Sequence, residues 1–164
     1  MEDSVDQHVA RWRDWDKISF NDEVEGAVTR ISMISKYLKR TSKQAAEKSD
    51  LQWFEYETLH ALMIRDLPGR ATPSELATRL MVSPAGITGR LDGMEQRGLL
   101  HRVHNPTDRR RVDVEITPEG QARWQRTMQL RGQTEEAMLG VLSETEQHAL
   151  NHLLRNVLAH LEIE

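Results

Sequence analysis

TPSELATRLMVSPAGITGRLDGMEQRG, residues 72–98, is the stretch of sequence that decides the fold. Thr72 and Ser83 are each followed by proline, and a hydroxyl cap with proline at the first helical position is a strong start signal for a helix. The first of the two helices stops near Val82, and the second ends just before Gly98, a residue suited to a helix C-terminus. Two short helices joined by a turn of about three residues indicate a helix-turn-helix.

The period of the apolar residues changes after Gly98. Leu99–Val103 can form one strand, and in residues 112–116 apolar and acidic side chains alternate as they do in a half-buried strand. Between the two strands, residues 104–108 (HNPTD) favour a turn, and three arginines follow. The segment Thr72–Thr117 therefore predicts a winged helix-turn-helix, a fold that binds DNA.

Helical spacing of apolar residues predicts further helices on both sides of this segment. They are, in chain order, residues 5–16; a helix capped by Asn21 or Asp22 that runs to about Glu47; a helix capped by Ser49 or Asp50 with Phe54, Thr58, Ala61 and Leu62 near one face; a helix from Thr117 to about Leu142; and a last helix that Ser143 and Glu146 cap. We therefore expect a mainly α fold with a small β-hairpin wing. The expected domains are N-terminal helices over 1–48, a DNA-binding domain over 49–117 and C-terminal helices over 118–164.

The last helix carries an apolar stripe that is too wide for packing on a single monomer. It comprises Leu150, Leu153, Leu154, Val157, Leu158 and Leu161, and the long N-terminal helix adds Val24, Val28, Ile31 and Ile34. We therefore expect a homodimer whose dimerisation region comes from both termini. A two-fold dimer of this kind would bind a palindromic DNA site with half-sites about one helical turn apart.

The second helix of the motif, Ser83–Arg97, is the expected recognition helix. Ile87, Leu91 and Met94 recur at helical spacing and would face the core. The outward side near the helix start presents the candidate DNA-contacting residues Ser83, Ala85, Gly86, Thr88, Gly89 and Arg90. Small side chains let the helix backbone approach the major groove closely, and the threonine and arginine among them could contact base edges or phosphate.

The charge distribution favours the same surface. The chain carries a formal net charge of −4, but residues 79–111 hold seven arginines against three acidic residues, a balance of +4, so the remainder carries −8. A basic segment in an acidic protein indicates one surface that meets phosphate. We expect Arg109, Arg110 and Arg111 of the wing to lie beside the adjacent minor groove or the DNA backbone.

The composition excludes several other classes of protein. The chain has no cysteine, so disulfides, thiolate metal sites and cysteine catalysis are excluded. It also lacks a nucleophile elbow, a phosphate loop and a convincing triad, so we expect neither enzymatic activity nor a cofactor. His148 and His152 have a spacing that zinc ligands use, but without a third ligand we expect them to face solvent or a dimer interface. The N-terminus has no export signal and no apolar run could span a bilayer, so we expect a cytoplasmic protein with no membrane partner.

Two stretches, SPAGITGRLDGMEQRGLLHR (83–102) and NPTDRRRVDVEITPEG (105–120), follow one pattern. They resemble the MarR family of bacterial transcriptional regulators, whose pattern is a helix ending in Leu-Glu-x-x-Gly-Leu, a wing with Asp-x-Arg and a strand leading into Leu-Thr-x-x-Gly. Here Asp108-Arg109-Arg110 supplies the wing motif and Ile116–Gly120 supplies the end. By this resemblance Arg110 would be the minor-groove arginine and Asp108 would help to hold the wing. The helices on both sides of the motif fit the dimerisation region of the family.

A narrower resemblance involves Trp12-Arg13, residues 56–62 (YETLHAL) and the recognition-helix residues ITGRLD (87–92). All three resemble the PecS-like, urate-responsive branch of the family, whose ligand set of one Trp, one Asp and two Arg would fall on Trp12, Glu57, Arg90 and Arg102. Three of the four are retained, and the glutamate carries its carboxylate on a side chain one methylene longer. The resemblance implies an effector that is small, planar and anionic, urate-like or an aromatic acid, because Trp stacks on a ring and Arg neutralises an anion. Such a ligand would draw Arg90 inward and release a repressor from DNA.

Three alternatives remain open at this point. Trp12 and Trp15 could simply pack the first helix onto the body, while Glu57 forms an ordinary ion pair with Arg90 or Arg102. The protein could also be a regulator without a ligand, or one with another effector such as a phenolic compound. A winged helix could, finally, serve a protein partner instead of DNA.

Overall fold

A computed structural model describes residues 2–13, 21–64, 69–104 and 112–163. Its elements are α1 (Ser4–Arg13), α2 (Asp22–Lys48), α3 (Trp53–Met63), β1 (Arg70–Ala71), α4 (Pro73–Leu80), α5 (Pro84–Gln96), β2 (Leu100–His104), β3 (Val112–Ile116), α6 (Pro118–Leu139) and α7 (Glu144–Leu161). The fold is mainly helical with a small antiparallel sheet, as the sequence predicts. Within these ranges, no helix combines the length and apolar character that crossing a bilayer requires.

The chain divides into two compact units, Met1–Gln44 and Ala45–Glu164. In the first unit, ion pairs join the α1 segment to α2, namely Arg13 with Asp22, His8 with Glu25, and Arg30 with both Asp3 and Asp6. Hydrogen bonds from the Arg30 guanidinium lower the pKa of Asp3 to about 2. The Asn21 side chain accepts the N–H groups of Glu23 and Val24, so of the two expected caps it is Asn21 that opens α2.

The core of the second unit gathers the inner faces of α3, α4 and α5 against the sheet. Ile87, Leu91 and Met94 are all but inaccessible to solvent, which confirms the predicted inner face of the recognition helix. The start of α6 packs closely on Leu99, which lies between α5 and β2. A Cβ on Gly120 would lie 2.0 Å from the Leu99 carbonyl oxygen, so only glycine allows this approach.

The sheet has three strands in the order β1-β3-β2, where the sequence predicted only the two wing strands. β1 is two residues long, too short to show a period. Its presence also corrects the expected alternation along β3. Asp113 was expected to face outward, but it is only 5% exposed, and its carboxylate accepts a hydrogen bond from Arg70 of β1 at 2.8 Å. β1 therefore supplies, through Arg70, the cation that allows Asp113 to be buried.

The expected caps of α3, Ser49 and Asp50, are wrong. Asp50 has a left-handed backbone with φ 53° and ends α2, and Ser49 Oγ donates to the Ala45 carbonyl at 3.0 Å. The helix begins after Gln52, whose N–H donates to the Glu55 carboxylate at 2.8 Å. These residues belong to the end of one helix because the two helices follow each other almost without a linker.

The predicted face of α3 is also too narrow. Its buried residues are Glu55, Tyr56, Thr58, Leu59, Ala61 and Leu62, whereas Phe54 is only half-buried. The helix is central, since α4, α5, α6 and the sheet all pack against it. A helix surrounded in this way shows no single apolar stripe. Two element boundaries also differ from the prediction. β2 begins at Leu100 instead of Leu99, and α6 ends before Gly140 instead of near Leu142.

Among the described residues, the apolar side chains expected to form a dimer interface are not covered, except Leu150, which is half-buried. The residues concerned are Val24, Val28, Ile31 and Ile34 of α2 and Leu153, Leu154, Val157, Leu158 and Leu161 of α7. Each of these side chains is between 44% and 61% exposed. Apolar surface of this extent on two long helices is a feature of proteins that associate.

Candidate nucleic-acid interface

Two capped helices build the motif that the sequence predicts. Thr72 Oγ1 accepts the N–H of Glu75 at 3.3 Å, and the Glu75 carboxylate accepts the Thr72 N–H at 2.8 Å, which together form a capping box. α4 ends where Met81 adopts a left-handed φ of 52°, and Ser83 Oγ accepts a backbone N–H of the first turn of α5 at 3.1 Å. Residues 81–83 therefore form the turn of a helix-turn-helix.

The first half of α5 presents small side chains to solvent. Besides Pro84, the exposed residues here are Ser83, Ala85, Gly86, Thr88 and Gly89, and all five were predicted to meet DNA. Thr88 Oγ1 donates to the Pro84 carbonyl at 2.9 Å, so its methyl group and an oxygen lone pair remain for a partner. The first turn of α5 contains no acidic residue, so the positive end of the helix dipole is not neutralised from within the helix.

Gly89 has no packing role within the described part of the chain. A Cβ placed on it would meet no other atom within 4 Å, and its φ is not positive. Glycine in a helix interior costs about 1 kcal/mol relative to alanine. The chain therefore tolerates a destabilising residue where neither sterics nor backbone conformation requires one. This fits a surface that another molecule approaches closely.

Arg90 differs from the other candidates on α5 because it is half-buried. Its guanidinium lies over the ring of Phe54 on α3, 5.5 Å from the ring centroid. This cation–π contact holds the side chain at the boundary between the exposed face of α5 and α3. Sequence reasoning did not identify Phe54 as a partner, because the two residues are distant in sequence and Phe54 was assigned to the core.

Arg102 connects the wing to the recognition helix. Its guanidinium pairs with both Asp92 and Glu95 of α5, and its backbone N–H donates to Glu95 at 2.9 Å. The Arg102 backbone hydrogen bond and guanidinium hold the pKa of Glu95 below its ordinary value. Sequence reasoning missed both acidic partners. The available signal was their spacing of three residues, which places two carboxylates on one side of the helix.

The predicted wing tip, Asp108–Arg111, lies outside the described residues. The two strands that lead to it are paired along their whole length, from Leu100 with Ile116 to His104 with Val112. The roles expected for Asp108, Arg109, Arg110 and Arg111 therefore stay predictions.

The expected ligand set is distributed over both units. Trp12 lies on α1, edge-on to His8 with the ring centroids 5.8 Å apart. Glu57 on α3 is half-buried and, among residues that the structure describes, has no ion-pair partner. Arg90 contacts Phe54, and Arg102 is paired with acidic residues of α5. An ordinary ion pair of Glu57 with Arg90 or Arg102, considered above, is thus not formed.

His148 and His152 of α7 are exposed. His148 Nδ1 donates to the Glu144 carbonyl of its own helix at 2.8 Å, and His152 contacts the Asn156 side chain. The described ranges contain no cluster of three or more His, Asp or Glu residues suited to a metal ion.

The chain is similar to proteins of a known family. The MarR family model matches residues 55–112, from α3 to the first residue of β3. The HTH-type transcriptional regulator PecS of Dickeya dadantii is 33% identical to the chain over 138 residues, which cover 84% of this chain and 81% of that protein.

Solved structures share the fold. A mutant of MarR from Escherichia coli is 27% identical with a TM-score of 0.66, and the match covers 79% of this chain and 94% of that one. A mutant of MepR from Staphylococcus aureus, bound to an oligodeoxyribonucleotide, is 22% identical with a TM-score of 0.64 over 87% of this chain and 99% of its own. The similar proteins are regulators of transcription and not enzymes. The chain therefore belongs to the MarR family of winged-helix, DNA-binding transcriptional regulators.

Proposed function

We propose that the protein is a homodimeric repressor that binds a palindromic operator in the cytoplasm and is released by a small, planar, anionic ligand. The observation that carries this proposal is the first half of α5, where five small residues are exposed at the positive end of a helix whose other face is buried. Residues 49–117 bind DNA in this proposal, and residues 1–48 and 118–164 supply the dimer contacts.

The exposed apolar stripes of α2 and α7 support the dimer. Leu153, Val157 and Leu161 of α7 are each more than half exposed, although burying a leucine contributes about 2 kcal/mol. A second copy of the chain would cover these residues through a two-fold interface. The same symmetry would place two α5 helices on two half-sites of one operator.

The wing arginine provides a test of DNA binding. Replacing Arg110 with alanine should weaken binding to many duplex sequences, because a phosphate or minor-groove contact is lost. The slope of log affinity against log salt should become shallower by about one. Fluorescence anisotropy with labelled duplex at about 50 to 200 mM salt measures both quantities. Arg126→Ala, at an exposed position of α6, is the control for loss of one positive charge. Equal behaviour of the two variants would refute the role of the wing.

The half-buried polar groups of α3 and α5 support the ligand response. Glu57 has a carboxylate without an ion pair among the described residues, and Arg90 has a guanidinium that lies against α3. An anion that binds Arg90 would compete with DNA for the same side chain. Trp12 would stack on the planar ring of the ligand.

Urate, other purines and aromatic acids should be titrated against the protein–DNA complex, with wild type and Trp12→Ala side by side. We expect at least one of them to release wild type at a lower concentration than it releases the variant. The absence of release, or the same release curve for both proteins, would refute the ligand response.

One observation favours a second candidate, a MarR-type regulator without a ligand. Arg102 already has two carboxylate partners on α5, so an anion would have to displace them to reach it. The titration distinguishes the two candidates, since only the first predicts release.

A further inference from the structure

Asp50 adopts a backbone conformation that glycine adopts more easily. Its φ is 53°, and the Leu51 N–H donates to the Ala46 carbonyl at 2.9 Å, which closes α2 in the manner of a Schellman motif. Glycine is the usual residue at this left-handed position because a Cβ is disfavoured there. Asp50 nevertheless occupies this position, and its side chain has partners that glycine could not provide.

The side chain and carbonyl of Asp50 receive two arginines from two different helices. Arg97, at the C-terminal end of α5, donates through Nη2 to the Asp50 carbonyl at 2.8 Å and to its carboxylate at 3.0 Å. Arg123 of α6 donates through Nη1 to the same carbonyl at 2.9 Å and also to the carboxylate. Glycine at position 50 would retain the carbonyl and lose the shared carboxylate.

Arg97 is held from a second side by a buried acid. Glu55 is 1% exposed, and its carboxylate accepts Arg97 Nη1 at 2.6 Å and the Gln52 N–H at 2.8 Å. A buried carboxylate depends strongly on such a partner, so this contact is directional and costly to break. The end of the recognition helix is thereby fixed to the corner between α2 and α3.

Arg123 fixes the same corner to α6. Its Nε donates to Glu119 of the preceding turn at 2.6 Å, which orients the guanidinium toward Asp50. We call Asp50, Glu55, Arg97 and Arg123 the Asp50 cluster. It joins the C-terminal end of α5 to the first turns of α6, a helix of the expected dimerisation region.

We propose that Asp50 is a positioning residue for DNA reading, which sets the angle of α5 relative to α6 through the Asp50 cluster. The proposal rests on the proposed function, in which two α5 helices of a dimer read two half-sites. α5 has 13 residues and is therefore about 20 Å long. A rotation of about 10° at its C-terminal end would move its N-terminal end by about 3 Å, which is close to the rise of one base pair.

Asp50→Gly is the variant that separates positioning from folding. Glycine relieves the left-handed backbone, so the thermal midpoint should stay near that of wild type, while the carboxylate shared by the two arginines is lost. We expect operator affinity to fall about tenfold, a change of about 1.4 kcal/mol. Removal of a negative charge alone would raise DNA affinity, so the predicted sign is opposite to the bulk electrostatic effect. Glu136→Gln, at an exposed position of α6, is the charge control.

The preferred separation of the two half-sites distinguishes positioning from a merely structural role, because a structural role would leave that preference unchanged. Wild type and Asp50→Gly should be titrated with palindromes whose half-sites differ in separation by single base pairs. We expect the variant to lose the sharp preference of wild type for one separation. Asp50→Asn keeps a side-chain oxygen and tolerates the left-handed conformation, and should be intermediate.

An Asp50→Gly protein with wild-type affinity and wild-type spacing preference would overturn the proposal. So would a loss of affinity that is uniform over all separations and parallels a fall in the thermal midpoint. Amide hydrogen exchange of the last turn of α5, measured without DNA, tests the docking independently. If wild type itself fails to bind duplex DNA, the proposed function is wrong. Faster exchange at Arg97 and Gly98 in the variant would then still support the docking of α5 by the Asp50 cluster, and unchanged exchange would refute that docking.

Discussion

α5 and α7 each expose one face to solvent, and the two faces have opposite character. α5 exposes glycine, alanine, serine and threonine at its start, whereas α7 exposes leucine and valine along its length. Hydrophobic burial cannot drive binding to the first face, so its partner must be recognised by backbone approach and hydrogen bonds. The second face has little to offer except apolar area, which suits another protein surface. In the proposed function, the exposed face of α5 therefore meets nucleic acid, and the exposed face of α7 meets a second copy of the chain.

The largest expected effect comes from a charge on the apolar face. Leu158→Glu would bury an unpaired carboxylate in the proposed interface, so the dimer dissociation constant should rise by about 100-fold or more. Sedimentation equilibrium measures it. Asn156→Glu, on the opposite side of α7, is the control and should remain dimeric. If Leu158→Glu is as dimeric as wild type, α7 does not form the interface.

The next largest expected effect concerns the ion pair that Arg97, at the end of α5, forms with the buried Glu55. Arg97→Ala leaves the carboxylate of Glu55 buried without its cation, and the free energy of unfolding should fall by about 3 kcal/mol. Urea unfolding followed by circular dichroism measures the loss. Adding Glu55→Gln should recover part of it, because the neutral amide is less costly to bury. No recovery in the double variant would show that the buried charge is not the cause.

A smaller effect tests the polar face. Gly89→Ala should raise the free energy of unfolding by up to about 1 kcal/mol, because alanine favours the helix and its Cβ meets no atom of the chain. The same change should weaken operator binding, since the methyl group would occupy space next to the bases. Gly132→Ala on α6, where a Cβ also meets no atom, should be stabilising without loss of DNA affinity. If Gly89→Ala is more stable and binds DNA as wild type does, position 89 is not in the DNA interface, which would then lie elsewhere on α5.

The smallest effect is a dependence of stability on pH through His60 of α3. Burial, together with the positive charges of Arg131 and Arg79, lowers the pKa of His60 below its ordinary value. The Trp124 indole N–H donates to His60 Nδ1 at 3.3 Å, which requires that nitrogen to be unprotonated. The unfolded chain therefore takes up the proton more readily. The contribution of neutral His60 to the stability of the fold is fully present above the ordinary pKa of about 6.5, and it is lost as the pH falls below that value.

Thermal unfolding at several pH values between about 7.5 and 5 measures this contribution. His60→Gln can still accept from Trp124 and should show a weaker pH dependence than wild type. His152→Gln, at an exposed position of α7, should leave the dependence unchanged. If His60→Gln and wild type have parallel profiles, other groups are responsible.

Local signals were sufficient for most of the fold. The caps at Thr72, Ser83 and Ser143 were predicted correctly, because a hydroxyl and the N–H groups that it accepts lie within one turn of the chain. The caps of α3 were wrong because Asp50, a residue type that caps helices, instead ends the preceding helix. Sequence cannot distinguish these two uses when helices follow each other directly.

The candidate site was predicted as a surface and not as a set of partners. Exposure of the small residues on α5 follows from helical period, since Ile87, Leu91 and Met94 determine which side faces inward. The contact of Arg90 with Phe54 and the ion pairs of Arg102 with Asp92 and Glu95 were not predicted. Long arginine side chains can reach several neighbours, and only the packing of α3 and β2 against α5 selects among them.

The amino-acid sequence by itself determined the order of the helices, the helix-turn-helix with its paired wing strands, the inner face of α5 and the apolar stripe of α7. These features depend on hydrogen bonds and periodicity within a few residues along the chain. Only the tertiary structure decided that β1 completes the sheet, that Asp113 is buried, and that Asp50 receives Arg97 and Arg123. Arg123 and Asp50 are 73 residues apart in the sequence, and Arg70 and Asp113 are 43 apart. A charged side chain acquires such a partner only after the core has brought distant elements together, and no local pattern records it.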